Sequence, residues 1–137
     1  MSASTLSLLL ERAEAERDTA AQALHKASTQ AEAARAQHGE LTGYRQEYQQ
    51  RWTQSFAQAT TMDIVACYQS FGQRLNQAVD TQGHVAQHAD QRQTHAREAL
   101  RQLIARRQAE ADKQAQRREQ RATDEFAARA HLRRAHA

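Results

Sequence analysis

The chain has 137 residues, no proline, only four glycines and a formal net charge of +3, and Ala, Gln, Arg and Glu dominate it. A mean hydropathy of −0.93 excludes a compact globule, because too few large apolar side chains are present to offset the entropy lost on folding. Disorder is excluded by the lack of Pro, Gly and Ser enrichment and by a long hydrophobic period.

The N-terminal apolar run, Leu8 to Leu10, is followed at once by Glu11 and Arg12. It is too short for a signal-peptide core or a membrane span, so a cytosolic protein is expected. From Leu6, alternating steps of four and three give positions 6, 10, 13, 17, 20, 24, 27, 31, 34, 38, 41, 45, 48, 52, 55 and 59. Twelve of these sixteen positions are apolar, the exceptions being Arg17, His38, Arg45 and Ser55. A stripe that keeps a 3.5-residue period for this long is a coiled-coil seam, since it stays on one side only when the helix supercoils left-handedly. A first helix over about 4–59 follows.

Continuing that phase predicts positions 62 and 66, but the next apolar stripe runs 64, 68, 71, 75, 78, 82, 85, 89, 92, 96, 99 and 103, broken only by Gln82 and Arg92. The slip places a turn at 60–63, with Thr60 as N-cap and Asp63 three residues on. A second helix follows over about 64–118. Folding back at the turn pairs residues whose numbers sum to about 119. Leu41 then faces Ala78, Tyr48 faces Phe71, Ala34 faces Val85, Ala20 faces Ala99, and Arg17 lies near Leu103. The expected fold is all-α, one two-stranded antiparallel coiled-coil hairpin over 1–137, with 119–137 a basic helical or frayed tail. Its middle, built on Ala27, Ala31, Ala34, Ala89, Ala96 and Ala99, should be thin, because alanines bury little area each.

Six of the seven aromatic residues lie between positions 44 and 71. A two-helix seam has no interior deep enough for all of them. Gln37, Leu41, Tyr44 and Tyr48 form one stripe, and Phe71, Leu75, Ala78 and Gln82 form its match on the other arm. Together they make a candidate apolar interaction patch; the alternative is that the aromatics simply thicken the core. All four glycines, Gly39, Gly43, Gly72 and Gly83, occupy the same end, where they permit close helix approach or local bending. Cys67 is the only cysteine, which rules out an intramolecular disulfide and suits a reducing compartment.

Positive charge is terminal: residues 101–137 hold ten basic and five acidic side chains. Arg106, Arg107, Arg117, Arg118, Arg121, Arg133 and Arg134 would suit an anionic surface, so a nucleic-acid-binding coiled coil is the competing reading. Only Phe126 interleaves with these arginines, and a base-stacking platform is lacking. A structural dimerising rod is a third possibility. His84, His88 and His95 share a helix face, but no ligand of suitable spacing completes a metal site. With no Gly-rich phosphate loop and no pocket to hold a catalytic constellation, neither cofactor nor enzymatic activity is expected.

Taken with the leucine-rich start (Leu6, Leu9, Ala13, Glu14), the pairs Tyr44-Arg45 and Glu47-Tyr48, the stretch Tyr68-Gln69 with Phe71, then Leu75, Ala78 and Gln82, and a late Asp124-Glu125 with Ala127, the chain resembles the FliJ family of flagellar export proteins. The resemblance covers nearly its whole length, and stalk proteins of virulence type III secretion systems share the shape. It implies a cytoplasmic, non-enzymatic component of the flagellar type III export apparatus, peripherally associated with the inner membrane. The family's hairpin resembles the central stalk of rotary ATPases. Its open end enters the hexameric ring of the export ATPase FliI, its tip reaches the export gate protein FlhA, and export chaperones also bind. The implied gate-binding patch is Gln37, Leu41, Tyr44, Tyr48, Phe71, Leu75, Ala78 and Gln82; some members carry His where this chain has Gln82. The implied ATPase-ring end comprises Leu6, Leu10, Ala13, Arg106, Arg107, Arg117 and Arg118.

Overall fold

The structure, a computed structural model, describes residues 3–56 and 61–136. The protein is all-α. Helix α1 spans Ala3–Phe56 and helix α2 spans Met62–Ala135, and the two pack antiparallel as a coiled-coil hairpin. Long uninterrupted helices follow from a proline-free sequence of good helix formers. Several threonines within them bond back one turn, as when the Thr42 hydroxyl donates to the His38 carbonyl at 2.8 Å.

The expected cap at Thr60 lies outside the described residues. Its neighbour Thr61 stands immediately before α2 and carries capping contacts. The Ile64 N–H donates to Thr61 Oγ1 at 3.4 Å, and the Val65 N–H donates to the Thr61 carbonyl at 3.1 Å. Asp63 in the first turn and Arg133 and Arg134 in the last complement the helix dipole at both ends of α2.

The chain divides into two units, residues 1–98 and 99–137. In the first, the antiparallel register is fixed by contacts that climb α2 as they descend α1. Trp52 stacks on Tyr68 with ring centroids 4.6 Å apart, Gln82 Nε2 donates to Gln37 Oε1 at 3.1 Å, Arg35 pairs with Asp90, and Gln93 Nε2 donates to Ser28 Oγ at 3.1 Å. Between these contacts lies an alanine core of Ala31 (0% exposed), Ala34, Ala86 and Ala89 (1% exposed). Methyl-sized side chains let the two backbones approach closely, at the cost of little buried area per residue.

On α1 the seam runs as expected from Ala20 to Ser55, and the polar exceptions His38, Arg45 and Ser55 are half-buried in it. On α2 every second expected position is wrong by one. Tyr68, Leu75, Gln82, Ala89 and Ala96 do face α1, but Ile64, Phe71, Ala78, Val85 and Arg92 are exposed. Val65, Gly72, Val79, Ala86 and Gln93 take their places. Ala34 therefore belongs with Ala86 and not with Val85. Size decides this choice. Both sets keep the heptad period and carry comparable apolar content, but the adopted one places Gly72 against the Tyr48 ring, where an added Cβ would stand 3.5 Å away. It places Gly83 against His38, where an added Cβ would stand 3.2 Å from Nε2. A phenylalanine in place of Gly72, or a valine in place of Ala86, would hold the helices apart at those two levels.

In the second unit the described residues are helical through Ala135. Leu100, Leu103, Arg107 and Ala130 are half-buried, and the remaining described residues are exposed, Ile104, Phe126 and Leu132 among them.

The glycines thus fall into two kinds. Gly39 and Gly43 face open space, whereas Gly83 abuts His38. Gly39→Ala and Gly43→Ala should each stabilise the protein by ~1 kcal/mol through helix propensity alone. Gly83→Ala should lose most of that gain to the displaced imidazole. Thermal unfolding of the three variants, followed by circular dichroism, tests the ranking; a Gly83→Ala variant as stable as the other two would contradict it.

Candidate functional site

Tyr44, Tyr48, Trp52, Tyr68 and Phe71 gather at the end of the first unit nearest the junction of the two helices, where they bring both arms together. Tyr48 is at their centre. Its ring lies 4.9 Å from Phe71 and 5.5 Å from Tyr68, and its hydroxyl donates to the Tyr68 carbonyl at 2.5 Å. Tyr44 meets Phe71 edge-on at 6.5 Å with an interplanar angle of 78°. Edge-to-face and offset contacts of this kind each add about 0.5–1.5 kcal/mol beyond the area they bury.

The eight residues of the candidate patch are brought to one end, but they do not play one role. Gln37, Tyr44 (49% exposed), Phe71 (38% exposed) and Ala78 are exposed, and they lie along one flank of the seam. Gln37 is joined across the arms to Gln82. Leu41, Tyr48 and Gln82 are half-buried, forming the floor between the helices. Leu75, only 6% exposed, is core, and supports the surface from beneath. The aromatics accordingly thicken the core and leave an apolar surface above it. The one-residue shift in the α2 seam is what turns Phe71 and Ala78 outward.

Among the residues assigned to the opposite end, Leu6 and Leu10 are exposed and Ala13 is half-buried. Leu8 and Leu9 are also exposed. In the second unit Arg106, Arg117 and Arg118 are exposed and Arg107 is half-buried.

The other flank of the same aromatic cluster carries a feature that the heptad pattern did not single out. An open groove runs between the arms, with Tyr48, Trp52 and Tyr68 against it and Arg45, Gln49, Gln73 and Asn76 along it. The signal available in the sequence was Arg45 itself, a cation on a seam position flanked by aromatics.

The proton affinity of Tyr48 is displaced by its surroundings. Its pKa lies above the ordinary tyrosine value, first because burial disfavours the phenolate and then because Tyr68 and Tyr44 would place like charge beside it. Since the folded state holds the proton more tightly than the unfolded chain, this contribution to stability is present below the unfolded pKa. It is lost as the pH rises above about 10, through the folded value. A spectrophotometric titration should show a late step, Tyr48 ionising above the ordinary tyrosine value of 10.0. Tyr48→Phe should remove that late step and cost ~1 kcal/mol for the lost hydroxyl bond; a titration curve unchanged by the substitution would refute the assignment.

Among the described residues no helix is long and apolar enough to cross a membrane. Comparison with known proteins yields a family-model match to the Flagellar FliJ protein family over residues 1–136. No curated protein and no solved structure matches the chain. The chain belongs to the flagellar FliJ protein family, a non-catalytic component of the flagellar type III export apparatus.

Proposed function

From membership of the flagellar FliJ family, we propose that this protein is a stalk-like adaptor that links the export ATPase FliI to the export gate protein FlhA and also contacts export chaperones. The observation that carries the reading is the apolar surface on the Tyr44–Phe71 flank. Tyr44 and Phe71 come from different arms, meet ring to ring, and remain exposed although each is a large aromatic. Gln37 and Gln82 continue the strip further along the hairpin through their cross-arm hydrogen bond. An aromatic centre with a polar margin is the usual composition of a protein-binding hot spot. Gln37, Leu41, Tyr44, Tyr48, Phe71, Ala78 and Gln82 supply the surface for FlhA, and buried Leu75 holds its shape.

The contacts with FliI are assigned to two stretches, each read by itself. One is the exposed Leu6 and Leu10 with Ala13. The other is the basic set Arg106, Arg107, Arg117 and Arg118. Exposed leucines on a helix offer apolar anchors, and exposed arginines offer forked donors for carboxylates on the ring. The protein works at the inner membrane through these protein contacts.

The double substitution Tyr44→Ala with Phe71→Ala tests the gate assignment without removing Tyr48 from the core. Binding to FlhA should weaken at least about 30-fold, the effect of losing ~2 kcal/mol of hot-spot contact, while co-purification with FliI is retained. Equal loss of both partners with an unchanged helical spectrum would refute the division of surfaces.

A further inference from the structure

The groove on the opposite flank of the aromatic cluster has its own chemistry. At 100° per residue, Gln37 and Tyr44 lie to one side of the α1 seam, and Gln49 lies to the other, with Arg45 at the seam's edge on that side. Gln73 and Asn76 of α2 face the groove that Arg45 and Gln49 enter, against Tyr48 and Trp52. No acidic side chain lines it. Arg45 is half-buried, yet no ion pair joins it to a carboxylate among the described residues. Arg35, an exposed arginine on the same helix, is by contrast matched by Asp90 across the arms. The guanidinium of a half-buried arginine without a carboxylate partner is favourable ground for one supplied from outside, because its planar fork of donors matches a carboxylate bidentately. The neighbouring primary amides can both donate to and accept from a peptide backbone, and the aromatic wall takes an apolar side chain.

We propose that this groove is a docking site for a segment of a partner protein that carries a carboxylate side chain next to an apolar residue. Arg45 takes the carboxylate, Gln49, Gln73 and Asn76 take the backbone, and Trp52 with Tyr48 takes the apolar side chain. The charge complementarity of a lone, half-buried cation in a groove free of acids selects this occupant. The site uses the flank away from Tyr44 and does not rest on the gate assignment.

Trp52 is the sole tryptophan of the chain and stands in the groove, so its fluorescence reports occupancy directly. The full chain is titrated with the blocked peptide acetyl-Gly-Glu-Leu-Glu-Gly-amide and with its counterpart in which both glutamates are glutamine. The glutamate peptide should give a saturable change in Trp52 emission that the glutamine peptide does not. Arg45→Gln should weaken that response at least ten-fold, and Gln73→Ala, an exposed position, should weaken it several-fold with no effect on folding. Arg51→Gln removes an exposed cation nearby and should leave the response unchanged. Equal responses to the two peptides, no saturable response, or equal losses in Arg51→Gln and Arg45→Gln would each overturn the proposal.

Discussion

Two helices can lie against each other along this chain because the residues between them are small. Ala31, Ala34, Ala86 and Ala89 are the buried cluster, and Gly72 and Gly83 admit the rings of Tyr48 and His38. Close approach of this kind yields many weak dispersion contacts and little buried area. At the levels of these small residues it leaves no room for a bulky side chain, and that selects one register and one rotation of α2 about its own axis. Everything that distinguishes the faces of the hairpin follows from that rotation. With Gly72, Val79 and Ala86 turned inward, Phe71, Ala78 and Val85 are turned out.

The aromatic cluster completes what the alanines begin. An interface of methyl groups is thin, whereas the rings of Tyr48, Trp52, Tyr68 and Phe71 supply area and directional contacts near the helix junction. The Tyr48 hydroxyl ties the cluster to the backbone of the other arm. The same rings serve both flanks, as wall for a groove on one side and as support for an apolar surface on the other. A two-helix assembly has no inside large enough to hide them, so the rings that stabilise the interface also form part of its exposed flanks.

Polar residues in the seam have physical roles of their own. His38 fits because the facing residue is Gly83. Ser28 and Gln93 satisfy each other across the arms, as do Gln37 and Gln82. Cross-arm hydrogen bonds add only about 1 kcal/mol each, but a sliding register would break them together, which favours a single alignment. Arg35 and Asp90 act in the same sense at the surface, where an ion pair contributes less than about 1 kcal/mol.

Helix type, the antiparallel hairpin and the gathering of aromatics near the junction were all determined by the sequence alone. Absence of proline, a 3.5-residue period in each arm and the slip between the two phases are one-dimensional properties, and local backbone preference reads them directly. The α1 seam was legible for the same reason. What only the tertiary structure decided was which of two adjacent sets on α2 faces inward: Ile64, Phe71, Ala78 and Val85, or Val65, Gly72, Val79 and Ala86. Both repeat every seven residues and both are largely apolar, so periodicity cannot separate them. The distance between the two backbones can, because it admits glycine and alanine at the contact and rejects phenylalanine. For that reason the gathering of the two stripes at one end was legible in the sequence, while the burial of Leu75, the exposure of Phe71 and the groove beside Arg45 depended on how closely two surfaces fit.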